Sequence, residues 1–327
     1  MKSVFFIGDE CHHHATPSMM SALPDCSYRI GLSATPFVEN DELDISLIDT
    51  NSAKDLLTSY YGNVVADYSL SEALGDGVLT PYQYFIIPVY LTESERIDYR
   101  DLSKEIARLF QMDRSKSNVA LSNAIRKRNK IVQNCQNKKL VLESLLEQED
   151  FHDKKHTLFY VGEGSVNEEY DDAETISQLQ SLASVISKKG WSVSKFTSLE
   201  NRRDREKIMS DFTSGAIDSL VSMRVLDEGI DIPACKRAFI LASSSNPRQF
   251  VQRRGRILRR YPGKEYAEIF DFVVLPCEKS DEKIFENLVR KELARIMDFV
   301  RTAKNRLEVE PIVDAIASNF NLDYREF

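Results

Sequence analysis

Short apolar runs that alternate with amphipathic stretches are the feature that most limits the folds open to this sequence. No two-residue hairpin turn joins one run to the next, and the intervening stretches are long enough for helices. Such alternation is typical of parallel sheets covered by helices on both faces, and we expect an α/β fold of this kind. The runs occupy residues 4–7, 28–32, 84–90, 157–161, 219–222, 238–242 and 268–274.

The pattern changes between residues 93 and 150. Segments 94–110 and 118–146 have helical periodicity, few glycines or prolines and many charges. We interpret this region as a helical connector between two α/β units. Near the C-terminus, a helix is predicted at about 281–303, where an apolar stripe is formed by Ile284, Leu288, Leu293, Ile296 and Val300. The predicted divisions are therefore 1–92, 93–150, 151–276 and a C-terminal helical extension at 277–327.

Composition sets the broad class. The chain has 327 residues, 42% of them hydrophobic, which suits about two domains of ordinary size. A formal charge of −8 does not exclude a nucleic-acid partner, because basic residues can be concentrated in one groove. The five cysteines form no Cys-x-x-Cys pair, which is typical of a reducing compartment. Since no apolar run approaches the roughly 20 residues of a membrane span and no signal peptide is visible, we expect a soluble cytoplasmic protein.

An acidic pair follows the first apolar run. Asp9 could hold Mg²⁺ through water, and Glu10 could orient and deprotonate an attacking water. His12 is placed to sense a nucleotide and to pass that signal to its surroundings. An isolated acidic pair at a strand end is more often a solvated turn. A metal site on His12, His13 and His14 is disfavoured, because three adjacent histidines cannot all point at one ion from regular backbone.

Two further loops carry candidate residues at strand ends. In Gly-Leu-Ser-Ala-Thr-Pro, the hydroxyls of Ser33 and Thr35 could hydrogen-bond to the acidic pair and couple nucleotide state to a neighbouring domain. In the second unit, Gly229 permits close backbone approach, and Asp231 could accept hydrogen bonds from a ribose hydroxyl. Each loop also has an ordinary interpretation, as a strand-to-turn sequence and as a surface loop.

Basic residues are concentrated in two places. In the run Gln-Arg-Arg-Gly-Arg-Ile-Leu-Arg, Arg256 and Arg259 lie three residues apart on one helical face, and Gln252 lies one turn before Arg256. Arginines so spaced suit the charge that builds up on a transferring phosphoryl group. In the connector, candidates for phosphate contacts that would bind nucleic acid without sequence preference are Arg126, Lys127, Arg128, Lys130, Lys138 and Lys139. A solvated helix face is an equally good interpretation of that second cluster.

Taken together and in order, these motifs resemble motifs II, III, V and VI of superfamily 2 helicases. The quoted elements are Asp-Glu-Cys-His at 9–12, Ser-Ala-Thr-Pro at 33–36, Asp-Glu-Gly-Ile-Asp-Ile-Pro at 227–233 and Gln-x-x-Gln-Arg-x-Gly-Arg-x-x-Arg at 249–259. They are most similar to the DEAD/DEAH-box branch that contains XPB-like and restriction-enzyme-like DNA translocases. The resemblance implies two RecA-like domains, the first N-terminally incomplete, joined by a helical connector. It implies ATP in the cleft between them and nucleic acid across their tops, with DNA favoured over RNA.

The resemblance also implies roles for individual residues. Asp9 would be the Mg²⁺ ligand and Glu10 the catalytic base, with Arg256 and Arg259 as arginine fingers that act on ATP. The other implied roles are nucleotide sensing for His12, Gly229 and Asp231, a γ-phosphate or coupling contact for Gln252, coupling for Ser33 and Thr35, and a backbone-phosphate contact for Ser222.

One departure from the family pattern concerns the phosphate loop. Relatives have a glycine-rich loop that ends in Gly-Lys-Ser/Thr upstream of the acidic pair, whereas the single Gly-Lys here is Gly263-Lys264, followed by Glu265. We expect roughly one hundred further residues upstream in an intact enzyme, and a chain that alone neither binds ATP tightly nor hydrolyses it.

Three functions therefore stay open at this point. The first is an ATP-dependent DNA helicase or translocase, whose phosphate loop would come from the same polypeptide or, in a split motor, from another protein. The second is a nucleic-acid-binding or regulatory fragment without ATPase activity. The third is an RNA helicase, which the bulky connector and the form of the last motif disfavour by analogy only.

Overall fold

The computed structural model describes residues 4–37, 51–112, 119–147, 151, 153–161, 171–197, 200–222, 232–241, 247–280 and 282–324. Within these ranges the strands form one two-stranded and one six-stranded sheet. Every pairing between the named strands is parallel. The predicted α/β class built on parallel sheets is therefore confirmed. None of the helices in the described ranges has the length and apolarity that a membrane span requires.

The first unit is small and is built around the two-stranded sheet. Gly8 at the end of one strand lies opposite Gly31 at the end of the other, so the segments that follow both strands leave from the same edge. The elements of this unit are β1 (Phe5–Gly8), a 3-10 helix (Cys11–His14), α1 (Pro17–Ala22), β2 (Tyr28–Gly31) and α2 (Asn51–Tyr61).

Both strand-end glycines make room for Tyr61, the last residue of α2. A Cβ atom on Gly8 would lie 2.1 Å from the Tyr61 hydroxyl oxygen, and one on Gly31 would lie 3.1 Å from Tyr61 Cγ. The same atom on Gly31 would lie 3.0 Å from the sulfur of Cys11. Because only glycine avoids these close approaches, α2 can pack directly against the strand ends from which the acidic pair departs.

The second unit contains the six-stranded sheet, whose strand order is β3-β8-β7-β4-β6-β5. Successive side chains point to opposite faces, where they enter two separate buried clusters; Leu158 belongs to one cluster and Phe159 to the other. The strands are β3 (Tyr82–Tyr90), β4 (Thr157–Tyr160), β5 (Val193–Phe196), β6 (Ser219–Ser222), β7 (Arg237–Ile240) and β8 (Ala267–Leu275).

Helices cover both faces of this sheet. The last two form the C-terminal extension, so the predicted C-terminal helix is confirmed and a second one follows it. In chain order the helices are α3 (Leu70–Gly75), α4 (Glu93–Met112), α5 (Val119–Gln133), α6 (Asn137–Glu147), α7 (Asp171–Lys188), α8 (Arg202–Ser214), α9 (Pro247–Ile257), α10 (Glu286–Val300) and α11 (Arg306–Asn319), with a 3-10 turn at Lys283–Phe285 before α10.

The position of β3 differs from the sequence-based division at residue 92. That division groups β3 with the first unit, but β3 pairs with β8 along its whole length, from Tyr82 opposite Ala267 to Tyr90 opposite Leu275. The helices α4, α5 and α6 consequently connect two strands of the same sheet rather than two separate sheets. Their helical character is as predicted, while their topological place is not.

Buried charges attach α10 to the sheet. Asp271 on β8 is fully buried and accepts hydrogen bonds from the Tyr84 hydroxyl (2.7 Å) and from Arg295 Nη1 (2.5 Å). Arg295 Nη2 donates in turn to Glu292 Oε2 at 2.5 Å, and the same oxygen accepts from the Val274 N–H at 3.2 Å. Because each buried carboxylate has at least two donors, the network is satisfied and fixes how α10 lies on β8.

Candidate functional site

The acidic pair lies at the carboxyl end of β1. Asp9 is exposed and Glu10 is half-buried. Glu10 has φ 47° and ψ 46°, the left-handed region that non-glycine residues rarely adopt. Its N–H donates to Asp9 Oδ1 at 3.0 Å. The Cys11 N–H then donates to the Leu32 carbonyl at 2.9 Å, which brings the chain after β1 against the chain after β2. Strained backbone of this kind is concentrated at functional sites.

A chain of polar contacts connects the acidic pair to the loop after β2. His12 is buried, and its Nδ1 lies 3.3 Å from Glu10 Oε2 and 2.9 Å from Ser33 Oγ. The N–H of Thr35, also a buried residue, donates to the same Ser33 oxygen at 3.2 Å. The structure thus brings together four of the residues selected from the sequence. A change at the Glu10 carboxylate can reach residues 33–35 through one imidazole ring.

The neighbours of His12 have separate surroundings. His13 is exposed, whereas His14 Nδ1 is hydrogen-bonded to the Tyr61 hydroxyl at 2.6 Å. Burial lowers the pKa of His14, with a smaller contribution from His13, and burial raises the pKa of Tyr61 to about 12. Burial also raises the pKa of the Cys11 thiol. These groups are therefore neutral near pH 7 and support the packing of α2.

The second group of candidates lies on α9 and the turn after it. Gln252 and Arg256 are half-buried and lie one turn apart on the helix, and Arg259 is exposed just beyond its end. The carbonyl of Arg259 accepts hydrogen bonds from Thr80 Oγ1 at 3.3 Å and from Lys264 Nζ at 3.0 Å. The two arginines are therefore presented from a segment whose backbone is held in place.

Arg254 is a structural residue that sequence reasoning missed. Its side chain is buried, and Nη1 donates to the Asp298 carbonyl at 2.8 Å while Nη2 lies 2.7 Å from Asp298 Oδ2. The guanidinium also lies 4.8 Å from the centre of the Phe299 ring. Arg254 therefore joins α9 to α10. An arginine without a nearby acid in the sequence gave no signal of this role, because its partner lies 44 residues away.

Two predicted nucleic-acid contacts are wrong for this structure. Ser222 is fully buried and its hydroxyl donates to the Phe196 carbonyl at 3.0 Å, so it presents no surface to a phosphate. Arg128 is buried as well, with Nη1 3.5 Å from Ser103 Oγ and its guanidinium 5.4 Å from the Tyr99 ring centre. In both cases the polar group contacts neighbouring residues of the fold.

The remaining cations of the connector divide in the same way. Arg126 and Lys127 are exposed on α5, as a phosphate contact requires. Lys138 is buried and donates to the carbonyls of Val132 at 2.8 Å and Gln133 at 2.9 Å. Lys139 is hydrogen-bonded to Ser181 Oγ at 2.8 Å. The other two candidates, Gly229 and Asp231, lie outside the described residues.

Comparison with known proteins agrees with these motifs. The family "Helicase conserved C-terminal domain" matches residues 170–261, the part of the second unit that ends just after α9. A DNA 3'-5' translocase XPB2 from Sulfurisphaera tokodaii is 27% identical over 265 residues, which cover 79% of this chain and 56% of the translocase. These matches support the resemblance to the C-terminal portion of a superfamily 2 helicase.

Other relatives match shorter segments. A Dicer-like protein 2 from Phaeosphaeria nodorum is 27% identical over 125 residues, covering 38% of this chain and 9% of that protein. The chain thus spans about half the length of the XPB2 translocase and a small part of the Dicer-like protein. Among solved structures, the ATP-dependent Type ISP restriction-modification enzyme LlaBIII bound to DNA superposes with a TM-score of 0.53 at 16% identity, covering 93% of this chain and 21% of that one. This likeness supports the fold, and the six-stranded parallel sheet is consistent with a RecA-like domain.

Proposed function

We propose that this superfamily 2 helicase chain supplies the acidic pair and the arginine helix of an ATP-driven DNA translocase or helicase. The observation that carries the proposal is the polar chain Glu10–His12–Ser33, with the Thr35 N–H on the same serine. It connects an acid suited to activating water with a loop suited to reporting nucleotide state. A solvated turn, the ordinary interpretation of an acidic pair, does not require a buried histidine between the two.

The donors present fit the chemistry of ATP hydrolysis. Asp9 offers an exposed carboxylate, the hard oxygen ligand that Mg²⁺ prefers when it also binds phosphates and water. When bound, Mg²⁺ would neutralise charge that develops on the phosphate oxygens. Glu10 orients the attacking water and accepts its proton. Arg256 and Arg259 supply positive charge to the transferring phosphoryl group, and Gln252 hydrogen-bonds to its oxygens.

Coupling follows from the same geometry. Loss of the γ-phosphate changes the hydrogen bonds available to Glu10, and His12 Nδ1 is shared between Glu10 and Ser33. A small shift of the imidazole therefore alters the Ser33 hydroxyl and, through it, the backbone at Thr35. Such a two-position element is what a motor needs to convert nucleotide state into domain movement.

We infer that the phosphates of ATP are held by a glycine-rich loop of the same or of a separate polypeptide, because Gly263-Lys264 is followed by Glu265 and does not complete such a loop. Without that loop both ground-state binding and catalysis are lost, so the isolated chain neither binds ATP tightly nor hydrolyses it. The direct test compares ATP hydrolysis by the purified chain with that of the chain assembled with a phosphate-loop segment, hereafter the assembled enzyme. We expect hydrolysis from the assembled enzyme alone, lost on Glu10→Gln and retained on Glu105→Gln, an exposed carboxylate of α4.

Two results would contradict parts of this proposal. Steady-state hydrolysis by the isolated chain that Glu10→Gln abolishes would show that no external phosphate loop is needed. An assembled enzyme that binds ATP but never hydrolyses it would favour the regulatory-fragment alternative.

We propose that DNA is the nucleic acid along which this protein moves. The similarity to a DNA translocase and to a restriction-modification enzyme bound to DNA supports this proposal. Arg126 and Lys127 on α5 are also exposed and could contact phosphates. Such contacts add a salt-dependent affinity without sequence preference. Replacing both residues by glutamine should make the negative slope of log affinity against log salt concentration shallower by roughly 1–2, the change expected when two phosphate contacts are lost. A matched control removes two exposed cations of α8, Arg202 and Lys207.

The choice between DNA and RNA is made by stimulation of ATP hydrolysis. The assembled enzyme should respond to duplex or single-stranded DNA more than to RNA. A response to RNA alone would favour the RNA-helicase alternative.

A further inference from the structure

The C-terminal end of α9 is held from outside the helix at three successive carbonyls. The carbonyls of Ile257, Leu258 and Arg259 all accept hydrogen bonds from groups that do not belong to α9. Carbonyls at a helix end have no partner within the helix and commonly face water. Here they are satisfied by the protein, at the place where the second arginine finger emerges.

Lys264 supplies two of these contacts. Its Nζ donates to the Ile257 carbonyl and, at 3.0 Å, to the Arg259 carbonyl, and it also reaches the Pro233 carbonyl at 3.4 Å. The side chain is buried, with 9% of its surface exposed. A turn with Gly263 at φ 76° and a Lys264 N–H bond to the Tyr261 carbonyl folds the lysine back under the helix. A lysine ammonium is well suited to the negative end of a helix dipole.

Thr80 holds the same segment through two further hydrogen bonds. Its N–H donates to the Leu258 carbonyl at 2.7 Å and its hydroxyl donates to the Arg259 carbonyl at 3.3 Å. Leu79 and Arg259 also form an isolated antiparallel bridge. The Arg259 carbonyl thus has two donors, one from the segment before β3 and one from the turn before β8, so its position is fixed by two strands of the sheet.

We propose that Lys264 is a positioning residue that holds Arg259 for its action on the phosphoryl group; this inference rests on the proposed function. The Gly263-Lys264 pair binds no phosphate in this fold, because its ammonium is committed to backbone carbonyls. Its contact with Pro233 also connects the end of the Asp-Glu-Gly-Ile-Asp-Ile-Pro motif to the arginine segment. Because Lys264 contacts both Pro233 and Arg259, the position of the arginine segment depends on the position of the loop that ends at Pro233.

The first test uses hydrogen exchange on the chain as it is, with three variants. Lys264→Met keeps the length of the side chain and removes its donors, Lys264→Arg keeps the donors, and Lys236→Met is a matched control at a lysine 3.8 Å from Asp153 on the surface. We expect Lys264→Met to speed exchange of amides at 257–261 by about tenfold, with β7 and β8 unchanged, and Lys264→Arg to restore most of the protection. Unchanged exchange at 257–261, or equal acceleration throughout the sheet without rescue by arginine, would overturn the proposal.

The second test measures ATP hydrolysis by the assembled enzyme. Lys264→Met should lower kcat by about tenfold to a hundredfold with KM for ATP unchanged, since a displaced catalytic group costs up to about this much. Lys264→Arg should recover most of the loss. The double variant with Arg259→Ala should be no slower than Arg259→Ala alone. Multiplicative losses would show that Lys264 acts independently of Arg259 and would overturn the proposal. If the wild-type assembled enzyme is inactive, the proposed function fails, while the exchange experiment still decides whether Lys264 holds Arg259.

Discussion

The two parallel sheets of this chain differ in how they are covered. In the six-stranded sheet, β4 and β6 are buried along their whole length. In the two-stranded sheet, apolar side chains that a parallel sheet would normally bury are half or more exposed, among them Phe5, Ile7 and Tyr28. Parallel sheets are normally covered on both faces, and two strands alone are marginally stable. The stability of the chain therefore resides in the second unit, while the acidic site resides in the first.

Aromatic residues show the same contrast in detail. Phe85, Phe270, Phe239 and Phe159 are register partners on four neighbouring strands, and successive ring centres are 4.7, 4.8 and 4.7 Å apart. In the first unit, Phe6 contacts Tyr60 and Tyr61 of α2, while Phe5 is 59% exposed on the other face. One sheet is stabilised by cross-strand pairs, and the other by a single helix.

The largest expected loss of stability comes from removing one aromatic ring from the core of the six-stranded sheet. Phe239→Ala should lower the free energy of unfolding by about 3–5 kcal/mol, because Phe239 is fully buried and its loss leaves a cavity between two stacked rings. Phe5→Ala, the matched change in the first unit, should alter it by no more than about 0.5 kcal/mol. Urea unfolding of both variants is the measurement. Equal losses would mean that Phe5 is buried in solution.

A smaller effect is expected where the first unit is tightly packed. Gly8→Ala places a Cβ atom 2.1 Å from the Tyr61 hydroxyl, so Tyr61 must leave its hydrogen bond with His14. We expect a loss of about 1–3 kcal/mol in the stability of the first unit, the usual range for overpacking. Tyrosine fluorescence and hydrogen exchange of β1 and β2 would report it, with exchange of the six-stranded sheet as the internal control. Gly75→Ala is a matched variant, since a Cβ there meets no atom within 4 Å.

Periodicity predicted most of the fold and failed where tertiary pairing decides. The seven apolar runs correspond to seven of the strands, but β5 was missed because Val193-Ser194-Lys195-Phe196 alternates at the edge of the sheet and forms no continuous apolar run. The partner of β3 could not be predicted, since it lies about 180 residues further along the chain. The second C-terminal helix, α11, was also missed; it contains Pro311 in its first half.

The candidate site divides along the same line. Glu10, His12 and Ser33 were found because short motifs follow two adjacent parallel strands, and the register of those strands brings them together. Arg254 and Lys264 were missed in their structural roles, because what defines them is the set of distant groups they touch. Basic residue type alone therefore could not separate exposed Arg126 from buried Arg128.

The smallest expected effect is the pH dependence of stability, which differs in direction between the two units. Burial lowers the pKa of Lys138 to about 8, although nearby Cys135, Glu292 and Asp271 oppose the shift. Between this value and the ordinary lysine pKa of 10.5, the unfolded chain binds more protons than the folded chain, so stability rises with pH. From pH 8 to 9 the second unit should gain up to about 1 kcal/mol from this group.

Lys138→Met should remove that gain, because the charge whose burial opposes folding is gone at every pH. Urea unfolding of both proteins at pH 7, 8 and 9 measures the difference. The window ends at pH 9 because burial raises the pKa values of Cys135 and Cys235 from 9.0 to about 11, so both thiols lower the stability as pH rises through 9. The first unit carries the opposite dependence: Tyr61 has a pKa raised to about 12, so it contributes stability that is lost as pH rises above the ordinary tyrosine value near 10. Parallel pH profiles for the wild type and Lys138→Met would show that Lys138 is solvated in the folded chain.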